Sequence, residues 1–288
     1  MKTMLIIGCG YLGSVVAKNA LAQGIKVYAT TRSRPDFLTA QGILPIICDV
    51  TNPQTFVNLP QVDGVVHCVG MDRSSGKSMK EVYVEGLSNI GRHFKDEGFQ
   101  GKFVHISSTS VYSQNDGELI DESCVTLPNE GSGKVVLEAE TSLRAINSNA
   151  IILRFSGIYG PGRLIRGKAI LAGEPIVCDA DRYLNLIHVA DGARVCLAAL
   201  KQGKNHQTYN VSDDEPSLRR DFYNQLAQFL SANPPIFILP DASKPASPHE
   251  GTHRRISNLK MKSELLQHLS FPSYREGLKD CVEQGAFA

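Results

Sequence analysis

The sequence has almost no excess charge: 30 Lys and Arg face 29 Asp and Glu, for a net charge of +1. Nucleic-acid binders display clustered basic surface, so this balance argues against a nucleic-acid partner. Apolar runs of the roughly 18 residues that a membrane span needs are missing, and no membrane partner is expected. A secretory leader is not expected either, because Met1-Lys2-Thr3 passes straight into a short apolar run and a glycine cluster. Paired cysteines are lacking as well. Cys9, Cys48, Cys68, Cys124, Cys178, Cys196 and Cys281 stand singly, 7 in all with no CxxC, so neither a disulfide framework nor a zinc site is expected. The expectation is a soluble cytoplasmic protein in which Cys9, Cys48 and Cys68 serve as small buried hydrophobes. What is present is enough apolar matter for a core: 42% hydrophobic residues over 288 positions exclude wholesale disorder.

That apolar matter comes in short pieces. Met4–Ile7, Ile25–Ala29, Leu44–Cys48, Gly64–Val69, Phe103–Ile106 and Ile151–Phe155 are Val- and Ile-rich runs that end near Gly, Ser, Thr or Asp. Continuous rather than alternating hydrophobicity predicts strands buried on both faces, as in a parallel sheet. Between them lie segments of helical spacing, such as Leu12, Val15, Val16 and Ala20, or Val136, Ala139, Leu143 and Ile146. The alternation predicts an α/β fold, a Rossmann-type doubly wound parallel sheet. Further on, helices are expected near Val189–Leu200 and Arg219–Leu230, with a strand at Thr208–Val211. The proline-dense stretch Pro240–Gly251 reads as a surface loop. The expected organisation is a nucleotide-binding lobe of residues 1–160 and 184–212, and a smaller substrate lobe of 161–183 and 213–288.

The first strand runs into Gly8-Cys9-Gly10-Tyr11-Leu12-Gly13 and then a helix. The first glycine permits the tight turn, the second lets backbone approach a pyrophosphate, and the third allows close helix–strand packing. The helix N-terminus offers unpaired N–H groups to the same phosphates. Strand before and helix after are the context that gives this pattern meaning. At the end of the second strand an NAD site would place an acid for the ribose 2′-hydroxyl. Here the residues are Thr31-Arg32-Ser33-Arg34, without a carboxylate. A guanidinium at Arg32 suits a 2′-phosphate instead, so NADP is the expected cofactor and NAD the second choice.

Five later segments, in order, resemble the extended short-chain dehydrogenase/reductase superfamily in its NAD-dependent epimerase/dehydratase branch. They are Val66-His67-Cys68-Val69-Gly70, His105-Ile106-Ser107-Ser108-Thr109-Ser110-Val111-Tyr112, Leu153-Arg154-Phe155-Ser156-Gly157-Ile158-Tyr159-Gly160-Pro161-Gly162, Asn185-Leu186-Ile187-His188-Val189 and Tyr209-Asn210-Val211-Ser212-Asp213. The resemblance implies cofactor contacts at Gly8, Gly10, Tyr11, Leu12 and Gly13, at Arg32 and Ser33, and at Asp49 and Val50 near the adenine. It further implies contacts at Cys68, Val69, Gly70 and Ser156. It also implies a small-molecule substrate with a carbonyl or hydroxyl, such as a nucleotide sugar, and a homodimer built on residues 79–97 and 133–147.

The catalytic motif departs from the family's Ser with Tyr-x-x-x-Lys. Ser108 matches the serine and Lys134 the lysine that holds the nicotinamide ribose, but the tyrosine position is Glu130. A carboxyl beside a lysine is ionised at neutral pH, so Glu130 would accept a proton more readily than donate one. The expected catalytic set is Ser108, Lys134 and Glu130. Tyr112 and Tyr159 are candidate replacements for the phenol, and Arg254 and Arg255 candidate anion binders. The resemblance therefore implies an oxidoreductase or epimerase/dehydratase-like enzyme. The rival is a catalytically weak or inactive NADP(H) sensor of the NmrA-like kind, which the missing tyrosine favours.

Overall fold

The computed structural model describes residues 1–128, 131–241 and 252–285. The apolar runs fold as a parallel sheet whose strands are β1 (Thr3–Ile7), β2 (Lys26–Thr31), β3 (Leu44–Ile47), β4 (Gly64–His67), β5 (Lys102–Ser108), β6 (Ile151–Phe155) and β7 (Thr208–Val211). Their order across the sheet is β7-β6-β5-β4-β1-β2-β3, with every neighbouring pair parallel. β4 and β6 are buried at every position, which explains why they read as continuous rather than alternating runs, with His67 and Arg154 as their buried polar members. The order reverses between β1 and β4. In doubly wound sheets the crevice at the carboxyl ends of such strands is where ligands bind.

Helices cover both faces. On one side lie α1 (Tyr11–Leu21) and, later in the chain, a helix over Val189–Gln202; on the other lie helices over Gly86–Asp96 and Gly131–Ile146. With the short helix Pro35–Thr39 as α2, these are α3 (Gly86–Asp96), α4 (Gly131–Ile146), α5 (Gly167–Leu171) and α6 (Val189–Gln202). They are followed by α7 (Arg219–Phe229), α8 (Leu259–Glu264) and α9 (Tyr274–Glu283). A π-helical turn, Glu81–Glu85, leads into α3. The helices expected at Val189–Leu200 and Arg219–Leu230 are thus α6 and α7. Of the proline-dense stretch, residues 242–251 lie outside the described residues.

Tyr159, Ile170, Ile176, Phe222, Leu226, Tyr274 and Leu278 form a core separate from those packed on the main sheet. Met261 and Leu265 of α8, however, belong to the core beneath the main sheet, where α8 lies against β7. Lys260 fixes that contact by donating to the Thr208 carbonyl at 2.8 Å. Residues 255–256 also return to pair in parallel with Leu119–Ile120. The C-terminal segment therefore contributes to both cores. Among the described residues no helix is long and apolar enough to cross a membrane.

One buried feature sets a pH dependence. His67 and His105 are partners on β4 and β5, with their Nδ1 atoms 3.3 Å apart. Burial lowers both pKa values, that of His105 to about 4, and the neighbouring ring lowers His67 further. Both rings are therefore neutral in the fold. Below pH 6.5 the unfolded chain takes up protons that the folded one refuses. Stability is expected to fall by about 1.4 kcal/mol per pH unit for each histidine as the pH drops from 6.5 toward 4. Denaturant unfolding at pH 7.5, 6 and 5 measures this, and a flat profile would contradict it.

Candidate functional site

A groove of about 300 Å³ opens at the carboxyl ends of β1, β2, β3 and β4. Its floor is the glycine loop. Gly8 holds φ at +91°, and a Cβ there would stand 2.7 Å from the Val69 Cα. Only glycine permits that turn and that approach. Thr30 fastens it by accepting the Gly8 N–H at 3.0 Å, and the Cys68 thiol donates to the Gly8 carbonyl at 3.0 Å. A Cβ on Gly13 would lie 2.6 Å from the Gly8 oxygen, which locks α1 against the turn. Gly10 caps α1 without any side-chain hydrogen bond and has nothing within 4 Å of its missing Cβ. Backbone N–H groups at the start of α1 are thus left open to an anion.

The other expected cofactor residues divide by position. Gly8, Gly10, Arg32, Ser33, Asp49, Val50, Val69 and Gly70 all line the groove. Tyr11 and Leu12 do not: the Tyr11 hydroxyl donates to the Pro161 carbonyl at 3.0 Å, and Leu12 is buried in the core. Both belong to the first turn of α1, and Arg163 lies over the Tyr11 ring. Cys68 lies beneath the glycine loop rather than in the groove. Asp49 has Oδ1 engaged by the N–H and hydroxyl of Thr51 at 2.9 and 2.8 Å, and the Val50 carbonyl accepts from Asn89. Cys9 and Cys48 also line the groove, but burial raises both thiols to about 11, which makes them poor nucleophiles.

Sequence reasoning missed Asp72 and Lys77, which the loop after β4 brings to the opposite wall. Asp72 Oδ2 sits 2.5 Å from Arg32 Nη2. The one local signal was Asp72-Arg73-Ser74, an aspartate that accepts the N–H two residues on and begins a turn.

Beyond Gly70 the strand ends of β5 and β6 carry Ser108 and Ser156. Ser108 is half-buried, and its oxygen accepts the Ser110 N–H at 3.1 Å, which leaves its O–H to donate. Ser156 Oγ is buried without a hydrogen-bond partner among the described residues. An orphaned buried hydroxyl calls for a ligand or water. Together with the uncapped α1 and the Gly10 opening, it fits a dinucleotide laid across the strand ends.

Lys134 is not brought there. α4 buries Gly133, Ala139, Glu140 and Leu143, so the lysine projects from its exposed side. It lines a separate groove with Leu127, Pro128, Leu137 and Glu138. The cause is the close seat of Gly133, where a Cβ would meet the Ser110 carbonyl oxygen at 2.4 Å. Glu130, the third expected catalytic residue, lies outside the described residues.

Of the candidate substitute phenols, Tyr112 is committed to a hydrogen-bond network and Tyr159 is enclosed in the core around Phe222 and Tyr274, its hydroxyl without a partner among the described residues. Tyr112 donates to Asn210 Oδ1 at 2.9 Å and accepts from Arg154 at 2.9 Å. Arg154 in turn grips both oxygens of Glu140, at 3.0 and 2.7 Å, and Ser107 donates to the same carboxylate at 2.5 Å. Tyr159 is fully buried, with burial the main reason its hydroxyl pKa rises. Arg254 is buried and donates to the carbonyls of Tyr112 and Gln114, and Arg255 donates to that of Gly117. Arg254 is thus enclosed, whereas Arg255 stays exposed.

Residues 4–212 match the model of the NAD dependent epimerase/dehydratase family. Among curated proteins, protein YeeZ of Escherichia coli (strain K12) is 27% identical over 251 residues, covering 82% of this chain and 87% of its own. A dTDP-4-dehydro-6-deoxy-D-allose reductase of a Streptomyces species is 25% identical over 317 residues, covering 97% and 94%. The structure of UDP-glucose 4-epimerase from Thermotoga maritima, solved with UDP-glucose, superposes with a TM-score of 0.83 over 98% of both chains. At 18% identity that likeness speaks for the fold alone.

Proposed function

The chain belongs to the NAD dependent epimerase/dehydratase family, and on that premise we propose that it is an NADP-preferring oxidoreductase or epimerase acting on a carbonyl or hydroxyl of a sugar-like small molecule. The observation that carries this reading is the groove itself: an uncapped helix N-terminus at Gly10, with Arg32 where an NAD site has an acid. The similarity to a sugar-nucleotide reductase supports the substrate class. Nothing in the comparisons favours the sensor alternative.

In this reading the backbone of Gly8–Gly13 holds the pyrophosphate, and Arg32, with Lys77 nearby, neutralises the 2′-phosphate. Asp49 and Val50 flank the adenine, Val69 and Gly70 support the dinucleotide as it crosses the sheet, and Ser156 meets the nicotinamide end. A bound nicotinamide would give or take the hydride. Ser108, with its acceptor side used by Ser110, presents its O–H to the substrate oxygen and holds the reacting carbon in place. Lys134 has no cofactor contact in this reading. Its groove, with Leu127, Pro128 and Leu137, lies on the α4 surface that a homodimer would cover. Seven free thiols accord with a reducing cytoplasm.

The test is NADPH oxidation across a panel of keto-sugar nucleotides, with wild type and Ser108→Ala compared on any substrate found. Loss of the positioned hydroxyl is expected to lower kcat about 10²-fold with a smaller change in KM. Turnover unaffected by Ser108→Ala would remove the serine from the site.

A further inference from the structure

The wall of the adenosine groove that faces β2 carries a carboxylate where β2 itself has none. We infer that Asp72 sets the choice between NADP(H) and NAD(H) by competing with the ribose 2′-phosphate for Arg32. The inference rests on the NADP reading above and adds to it the residue that limits that preference.

Arg32 and Asp72 come from different strand ends, after β2 and after β4, and both line the same groove. Their side chains meet across it at 2.5 Å, each nearly half exposed, at 47% and 43%. Asp72 is not a loose surface acid. Its Oδ1 accepts the N–H and the hydroxyl of Ser74 at 2.9 and 2.6 Å, and the preceding loop is tied down where Met71 N–H donates to the Tyr83 hydroxyl at 2.9 Å. Those bonds to Ser74, and then the Arg32 guanidinium, hold its carboxyl below the usual range, so it is ionised at neutral pH. One oxygen is used to shape the loop, and the other is presented to Arg32.

The two cofactors meet this pair differently. A ribose 2′-hydroxyl is neutral and can donate to a carboxylate, the contact an acid at the end of β2 ordinarily makes. It leaves the Arg32–Asp72 pair in place. A 2′-phosphate brings close to two negative charges and claims the guanidinium fork for itself. Asp72 must then release Arg32 while remaining in the same groove as the phosphate. Lys77, also in the groove, offsets part of that repulsion.

Asp72→Asn isolates the effect, since asparagine keeps the oxygen that caps the Ser74 turn and loses only the charge. Calorimetric titrations at low ionic strength would use NADPH, NADH, 2′,5′-ADP and 5′-AMP. Asp72→Asn is expected to tighten NADPH and 2′,5′-ADP by about five- to tenfold, the range for a half-exposed charge acting on a dianion. NADH and 5′-AMP should not tighten, and the gain should shrink with added salt and vanish in an Arg32→Ala background. An unchanged NADPH-to-NADH affinity ratio in Asp72→Asn, with Arg32→Ala still weakening NADPH, would overturn the role of Asp72 and leave the NADP reading standing. If Arg32→Ala leaves NADPH affinity unchanged, the NADP reading fails and this inference with it.

Discussion

Replacing Glu140 by alanine is expected to destabilise the protein by about 3–5 kcal/mol, the cost of leaving a buried charge without its partner. Glu140 is 4% exposed and Arg154 7%. The carboxylate takes two hydrogen bonds from Arg154 and one from Ser107, and Arg154 goes on to Tyr112, which holds Asn210. The chain of bonds joins α4, β5, β6 and β7. Removing Glu140 takes the carboxylate partner from the buried Arg154 guanidinium and the Ser107 hydroxyl at once. Denaturant unfolding measures the loss, and a change below about 1 kcal/mol, as for an exposed ion pair, would contradict it. A second consequence lies at the site: Ser107 precedes Ser108, so a weakened variant that still folds should lose turnover beyond its loss of stability. Glu140→Gln, which keeps the shape and two of the acceptor contacts, should be the milder change.

The second large effect concerns the glycine loop. In Gly13→Val the new side chain must displace the Gly8 carbonyl, 2.6 Å from the Cβ position, and also crowd the Cys68 sulfur at 3.1 Å. Backbone cannot yield as a flexible side chain would. Strain of about 1–3 kcal/mol is expected in the fold, and dinucleotide affinity should fall about 100-fold as the turn that faces the pyrophosphate shifts. Gly10→Ala provides the contrast. Its Cβ meets nothing within 4 Å, so folding should be unaffected, while the methyl intrudes on the space open to the phosphates. Thermal unfolding alongside nucleotide titration separates the two: Gly13→Val moves both, Gly10→Ala only the second. Equal nucleotide affinity in both variants and wild type would place the dinucleotide elsewhere.

The parts of this molecule that sequence made legible are those written in local pattern. Runs such as Ile151–Phe155 announce strands buried on both faces, and the spacing of Gly8, Gly10 and Gly13 announces the turn, since Gly8 and Gly13 leave no room for a side chain. The position of Lys134 depends on contacts that spacing does not encode. Lys134 stands at the family's interval from Glu130, but which face of α4 turns inward is decided by Gly133 seating on the Ser110 carbonyl and by Glu140 reaching Arg154. Those contacts join residues far apart in the chain. Tyr11 and Leu12 illustrate the same limit at short range, since a motif position fixes the backbone but not where the side chain packs. Asp72 was invisible for a related cause: forty residues separate it from Arg32, and only the loop after β4 brings them together. Tertiary pairing, not local propensity, determines these features.

The central claim is that the groove over β1, β2 and β4 takes a dinucleotide and prefers the one with a 2′-phosphate. The most direct test is equilibrium titration of the wild-type protein with NADPH and with NADH under one set of buffer conditions. Saturable one-to-one binding is expected, with NADPH tighter by about tenfold, as a guanidinium paired to phosphate in a half-exposed groove would give. Equal affinity for the two, tighter NADH, or no binding of either would contradict the claim.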